Sequence, residues 1–111
     1  MNFNETEGFG KDLNRLTKKY RSLPDDLEEF KKVVAAVPLG SSKHFAVLHN
    51  QGGVRIVKAR LFCRYLKGSS GLRVIYAYHE GMQSIAFIEL YFKGEQLRED
   101  AMRIQRYLDR G

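Results

Sequence analysis

The chain has one cysteine, Cys63, in 111 residues, so no internal disulfide can form, and nothing at the N-terminus reads as a signal peptide. Both features point to a reducing cytoplasm. No apolar run approaches the roughly 20 residues that span a bilayer, which excludes a helical membrane segment. There is no internal repeat, no low-complexity tract and no linker. Only two prolines occur, Pro24 and Pro38, and neither falls in a run with strand character. The most telling absence is local: between Val54 and His79 there is no acidic residue, against six basic ones (Arg55, Lys58, Arg60, Arg64, Lys67, Arg73).

What is present fits a single globular domain. Apolar residues make up 43% of the chain and aromatics 12%, enough for one core at this length. The formal net charge is +6. Residues 1–40 hold seven basic and seven acidic side chains, while the remainder holds twelve basic and six acidic, so the whole excess lies in the second part. A positive patch of this kind suits a phosphate backbone or an acidic partner peptide; the competing interpretation is a solvated edge that only confers solubility.

The patch sits on three consecutive runs rich in β-branched and aromatic residues, Val54–Leu66, Gly71–His79 and Ser84–Lys93. Lys67–Ser70 and Glu80–Gln83 join them with turn residues. Strict alternation puts Val57, Ala59, Leu61 and Cys63 on one face, with Val74, Tyr76 and Tyr78 and with Ala86, Ile88, Leu90 and Phe92. The other face carries Lys58, Arg60, Arg64, Arg73, His79, Glu89, Tyr91 and Lys93. Phe62, Ile75, Ala77 and Phe87 fall on that face too, and Arg55 on the apolar one.

Before these strands, Met1–Glu5 fits a short edge strand. Phe9, Leu13, Leu16 and Tyr20 then fall at helical spacing. Ser22-Leu23-Pro24-Asp25 ends that helix and starts another, with Ser22 as its cap, Asp25 completing a capping box and Pro24 in the first turn. Leu27, Phe30, Val34 and Val37 line the second helix, which stops before Pro38. The short connection predicts an antiparallel helical hairpin covering the apolar sheet face. Phe45–Leu48 fits a short strand flanked by His44 and His49, read as loop histidines because no further ligand stands near them. Leu97, Ala101, Ile104 and Leu108 predict a helix over Glu95–Leu108. The fold class is therefore α+β, a helical hairpin and a terminal helix packed on a small antiparallel sheet, in one domain spanning 1–111.

These residues also resemble a family. Phe9-Gly10-Lys11-Asp12-Leu13-Asn14-Arg15-Leu16 is similar to the F-x-K-D-L-x-x-L opening of the first helix in the RelE/ParE superfamily, toxins of bacterial type II toxin–antitoxin modules. Lys67-Gly68-Ser69-Ser70-Gly71-Leu72-Arg73-Val74-Ile75-Tyr76 resembles its K-G-x-S-G-x-R-V-I-Y entry into the second meander strand. Ile88-Glu89-Leu90-Tyr91-Phe92-Lys93 looks like its last strand, and the resemblance spans about residues 3 to 108, on the RelE/HigB-like side of the superfamily.

The resemblance implies a ribosome-dependent, metal-independent mRNA endonuclease that needs no cofactor and is held in check by a cognate antitoxin. Its partners would be that antitoxin, the ribosome and mRNA, with no membrane. By position, Lys58 and Arg60 match the family's phosphate-holding residues, Arg73 the arginine at the scissile phosphate, and Lys93 the basic residue closing the last strand. Arg64 and Lys67 extend the RNA-binding set. Metal-free cleavage also needs proton transfer. Glu89 and His79 are the titratable candidates on the basic face, with Tyr91 placed to stack on a base or stabilise the reacting oxygen. The competing roles are an ion pair from Glu89 to Arg73 or Lys58, a surface turn for His79 and packing for Tyr91. In one departure, Gly94-Glu95-Gln96-Leu97-Arg98 lacks the tyrosine or histidine that the family's ribonucleases often carry there. Two other functions fit the same resemblance: a ParE-like poison of DNA gyrase, or a catalytically degenerate relative that only binds RNA or antitoxin.

Overall fold

The structure, a computed structural model, describes residues 1–40, 42–66 and 71–110. Five strands, β1 (Asn2–Glu5), β2 (Phe45–Gln51), β3 (Val54–Arg60), β4 (Leu72–His79) and β5 (Ser84–Phe92), form one sheet in the order β1-β5-β4-β3-β2. The sheet is mixed, where an antiparallel one was expected, because β1 runs parallel to β5. The short strand expected at Phe45–Leu48 runs on to Gln51 and pairs with β3. Gly52 and Gly53 link the two with φ of 60° and 80°. That left-handed pair is what a two-residue hairpin loop needs, and glycine adopts it without a Cβ clash.

Three helices cover the sheet from two sides. On one side α1 (Glu7–Thr17) and α2 (Leu23–Ala36) bury Phe9, Leu16, Leu27, Phe30 and Val34 against Val57, Val74, Tyr76 and Phe87. Thr6 caps α1 by accepting the Phe9 N–H at 3.3 Å. Ser22 takes the N-cap position of α2 as expected, but its side chain makes no capping bond. Its hydroxyl instead donates to Asp26 at 2.6 Å and accepts the Tyr65 N–H at 2.9 Å, tying α2 to a short 3₁₀ turn at Arg64–Leu66. On the other side Ile104, Tyr107 and Leu108 of α3 (Ala101–Asp109) pack on Ile56, Ile75, Ala77, Ala86 and Ile88. No helix among the described residues is long and apolar enough to cross a membrane.

The terminal helix starts later than its periodicity predicts. Asp100 caps it by accepting the Arg103 N–H at 3.1 Å, and Leu97, expected on its apolar stripe, is 86% exposed. The cause is Glu89. Its carboxylate accepts the Gln96 side-chain amide at 2.7 Å and the Asp100 N–H at 2.8 Å, which holds 96–100 as a non-helical segment.

Strict alternation also fails within β5. Ile75 pairs with Glu89 but Tyr76 pairs with Phe87, so Ile88 is an extra residue in the strand. The bulge turns Ala86 and Ile88 towards α3, and Phe87 into the core beneath α1 and α2, the reverse of the expected faces. After it Glu89 and Tyr91 return to the face on which alternation had placed them. The bulge lies just past Glu5, the last β1 residue paired with β5. Side chains join in satisfying its backbone: the Phe87 carbonyl accepts both the N–H and the hydroxyl of Thr6 at 3.0 Å, and Asp12 accepts the Leu90 N–H at 3.0 Å. Arg103 donates to the Ile88 carbonyl at 3.1 Å and pairs with Asp12 at 2.6 Å, locking α1 and α3 over the irregularity.

Candidate nucleic-acid interface

Register, more than any single side chain, builds the basic site. Directly opposed residues on neighbouring strands share a face, with strands about 4.7–4.9 Å apart. Arg60 on β3 pairs with Arg73 on β4, and Arg73 pairs with Tyr91 on β5. On the far side of β3, the Arg60 N–H donates to the His44 carbonyl at 3.0 Å, so His44 continues the same line. The next line along the strands is Ala46, Lys58, Ile75 and Glu89. Lys93 follows Tyr91 by two residues, its N–H held by the Gly71 carbonyl at 2.8 Å. Lys58, Arg60 and Arg73 therefore converge at one end of the sheet, on the face away from α1 and α2, and the backbone of Lys93 lies at the same end.

A small open cleft of about 120 Å³ lies there, lined by Lys43, His44, Phe45, Ala46, Lys58, Ala59, Arg60 and Arg73. Like charges at directly opposed positions on adjacent strands repel each other, and the Arg73 guanidinium also donates to the Leu72 carbonyl at 3.1 Å. Arg73 registers the tension: its pKa is pushed below the usual arginine value by burial first and by the neighbouring Arg60 charge second, with Tyr91 opposing. An anion seated between the two would remove it, and guanidinium groups match phosphate oxygens bidentately.

The ends of the lines are anchored from below. Glu89 is 2% exposed and Tyr91 2% exposed. Glu89 pairs with neither Arg73 nor Lys58 among the described residues; both its oxygens are occupied by the 96–100 segment. Burial pushes the Tyr91 phenol above its usual value, against the pull of Lys58. Lys58 instead pairs with Glu99 at 2.9 Å. Burial, the largest single influence, would raise the Glu99 carboxyl, but the hydrogen bond and charge of Lys58, a backbone hydrogen bond and the Arg98 charge together bring its pKa below the usual carboxylate value.

Two expected members lie elsewhere. β3 stops at Arg60, short of the Leu66 expected, so alternation does not extend to Arg64. Arg64 sits in the 3₁₀ turn, paired with the buried Asp26 at 3.3 Å on the α2 side. His79 ends β4, six residues and therefore about 20 Å from Arg73. Its Nε2 is 2.6 Å from the Tyr107 hydroxyl, fastening α3 to the far end of the sheet. Lys67 lies outside the described residues, as does the turn expected at Lys67–Ser70. Sequence reasoning missed Lys43 and His44 as members of the cleft. The available signal was the strand at Phe45, whose register with Ala59 puts residue 44 opposite Arg60.

No protein-family model matches the chain, and no curated protein matches its sequence. Among solved structures it is similar to the archaeal RelE–RelB complex from Pyrococcus horikoshii OT3. The TM-score is 0.63 at 21% identity, covering 84% of this chain and 94% of that one. At that identity the likeness concerns the fold: three helices on a five-stranded mixed sheet, a RelE-like α+β arrangement.

Proposed function

We propose that this protein is the toxin of a type II toxin–antitoxin pair, related to the RelE/HigB-like members, and that it cleaves mRNA on the ribosome to stop translation. The observation that carries the proposal is the Arg60–Arg73 pair, two like charges set side by side in an open cleft with Lys58 beside them and Lys93 beyond. In this reading Arg73 and Arg60 grip the phosphate at the cleavage point and stabilise the extra charge of its transition state. Lys58 and Lys93 hold flanking phosphates. Tyr91 stands beside Arg73 on the next strand, Glu89 holds the 96–100 segment, and His79 anchors α3 instead of joining the chemistry. No carboxylate is among the described residues that line the cleft, and their donor set suits direct phosphate binding better than a divalent cation.

The RelE-like fold supports the toxin role, since its solved neighbour is a RelE seen with RelB. A cognate antitoxin would cover a surface of this charge with an acidic or amphipathic segment. The protein acts in the cytoplasm, where its ribosome and mRNA partners are.

Translating ribosomes incubated with the purified protein should yield mRNA cut within the occupied codon, while a parallel gyrase assay keeps normal supercoiling. Loss of supercoiling with intact mRNA would make the protein a gyrase poison of the same fold. Neither effect, together with normal growth on induced expression, would mark a relative that binds without cleaving.

A further inference from the structure

Metal-free RNA cleavage needs a group that removes the proton from the attacking ribose 2′-hydroxyl. Glu89 and Tyr91 are buried and His79 lies at the other end of β4, so the residues singled out by sequence leave that task unfilled. Lysine and arginine are donors only while charged. Among the described titratable residues lining the cleft (Lys43, His44, Lys58, Arg60 and Arg73), His44 alone carries, in its neutral form, a ring nitrogen with a free lone pair.

Its placement is fixed by the backbone. The Arg60 N–H to His44 carbonyl bond, at 3.0 Å, sets residue 44 directly across from Arg60, next in line after the arginine pair. Residue 44 is exposed, where a nucleotide chain has access. The charges around it are Lys43 in its own segment, Lys58 and Arg60 on β3 and Arg73 on β4. Asp26, Glu29 and Arg64 face it across a wider groove towards α2.

Resting on the ribonuclease reading, we propose that His44 is the general base of the cleavage. Its neutral imidazole takes the 2′-hydroxyl proton as the 2′-oxygen bonds to phosphorus. The bond from phosphorus to the 5′-oxygen breaks, and that oxygen leaves with the bonding pair and takes a proton from water. The products are a 2′,3′-cyclic phosphate and a free 5′-hydroxyl, and the imidazolium returns its proton to solvent.

The test compares wild type, His44→Gln, His44→Ala and Arg73→Ala for single-turnover mRNA cleavage on ribosomes. His44→Gln should cleave about 10²–10⁴-fold slower, with ribosome binding and melting temperature unchanged. Added imidazole should restore cleavage to His44→Ala but not to Arg73→Ala. If His44→Gln keeps the wild-type rate while Arg73→Ala is inactive, the ribonuclease stands and His44 is not its base. If wild type itself cuts no mRNA, the ribonuclease reading and this assignment fail together.

Discussion

Arg60 and Arg73 show how far a single position can be read from the chain. Alternation assigned them, with Lys58, to one face, and β3 pairs with β4 in continuous register from Val54 to Arg60, so the assignment holds. Alternation says nothing about position along a strand, and for that reason His79 shares the face but not the site. Nor does it survive the end of a strand, which is what removed Arg64. The role of Glu99 was equally hidden, since its partner Lys58 is 41 residues away. Because Lys58, with a backbone hydrogen bond and the Arg98 charge, holds the folded-state pKa of Glu99 below its unfolded value against burial, their contribution is present above the ordinary glutamate pKa. Falling pH removes it as the carboxyl protonates. Glu99→Gln should therefore be less stable than wild type above about pH 5, with the gap closing as pH falls below about 4. Urea unfolding across that range measures it; a deficit independent of pH would mean that the ion pair is not its source.

At the scale of elements, the helices and the three meander strands announce themselves through period and turn chemistry, β1 and β2 only as short strands, while the bulge in β5 does not. Ile85-Ala86-Phe87-Ile88 is apolar at every position because both faces of the sheet are covered there, and a run without polar residues has no alternation to read. Tertiary partners decide the register instead, through Thr6, Asp12 and Arg103 around the extra residue. The two descriptions differ most at Phe87. On the expected basic face, truncating it would scarcely affect folding. In the structure it is fully buried and stacks on Phe9 with ring centroids 5.2 Å apart. Phe87→Ala should cost about 3–5 kcal/mol in denaturant unfolding, and a loss under about 1 kcal/mol would refute the bulge. The late start of α3 has a similar origin. Leu97 keeps helical spacing with Ala101, but the hydrogen bonds of Glu89 to residues 96 and 100 outweigh that local preference.

For the molecule as a whole, the sheet separates two tasks. One face is core under α1 and α2; the other is core beneath α3 and basic at the end where β3 finishes and β4 begins. Part of the positive charge of residues 41–111 thus stands at one end of the sheet, where neighbouring strands can position phosphate-binding side chains together. Arg55 provides the comparison within the same strand. It lies five residues from Arg60, about 17 Å along β3, and is paired with Glu80 at 2.9 Å. The decisive measurement is the single-turnover rate of mRNA cleavage on ribosomes for wild type, Arg73→Ala and Arg55→Ala, each with its melting temperature recorded. Arg73→Ala should cut about 10²–10³-fold slower while melting within a few degrees of wild type, and Arg55→Ala should cut at the wild-type rate. Equal losses in the two variants, or an Arg73→Ala protein that retains full activity, would contradict a site built on the Arg60–Arg73 pair.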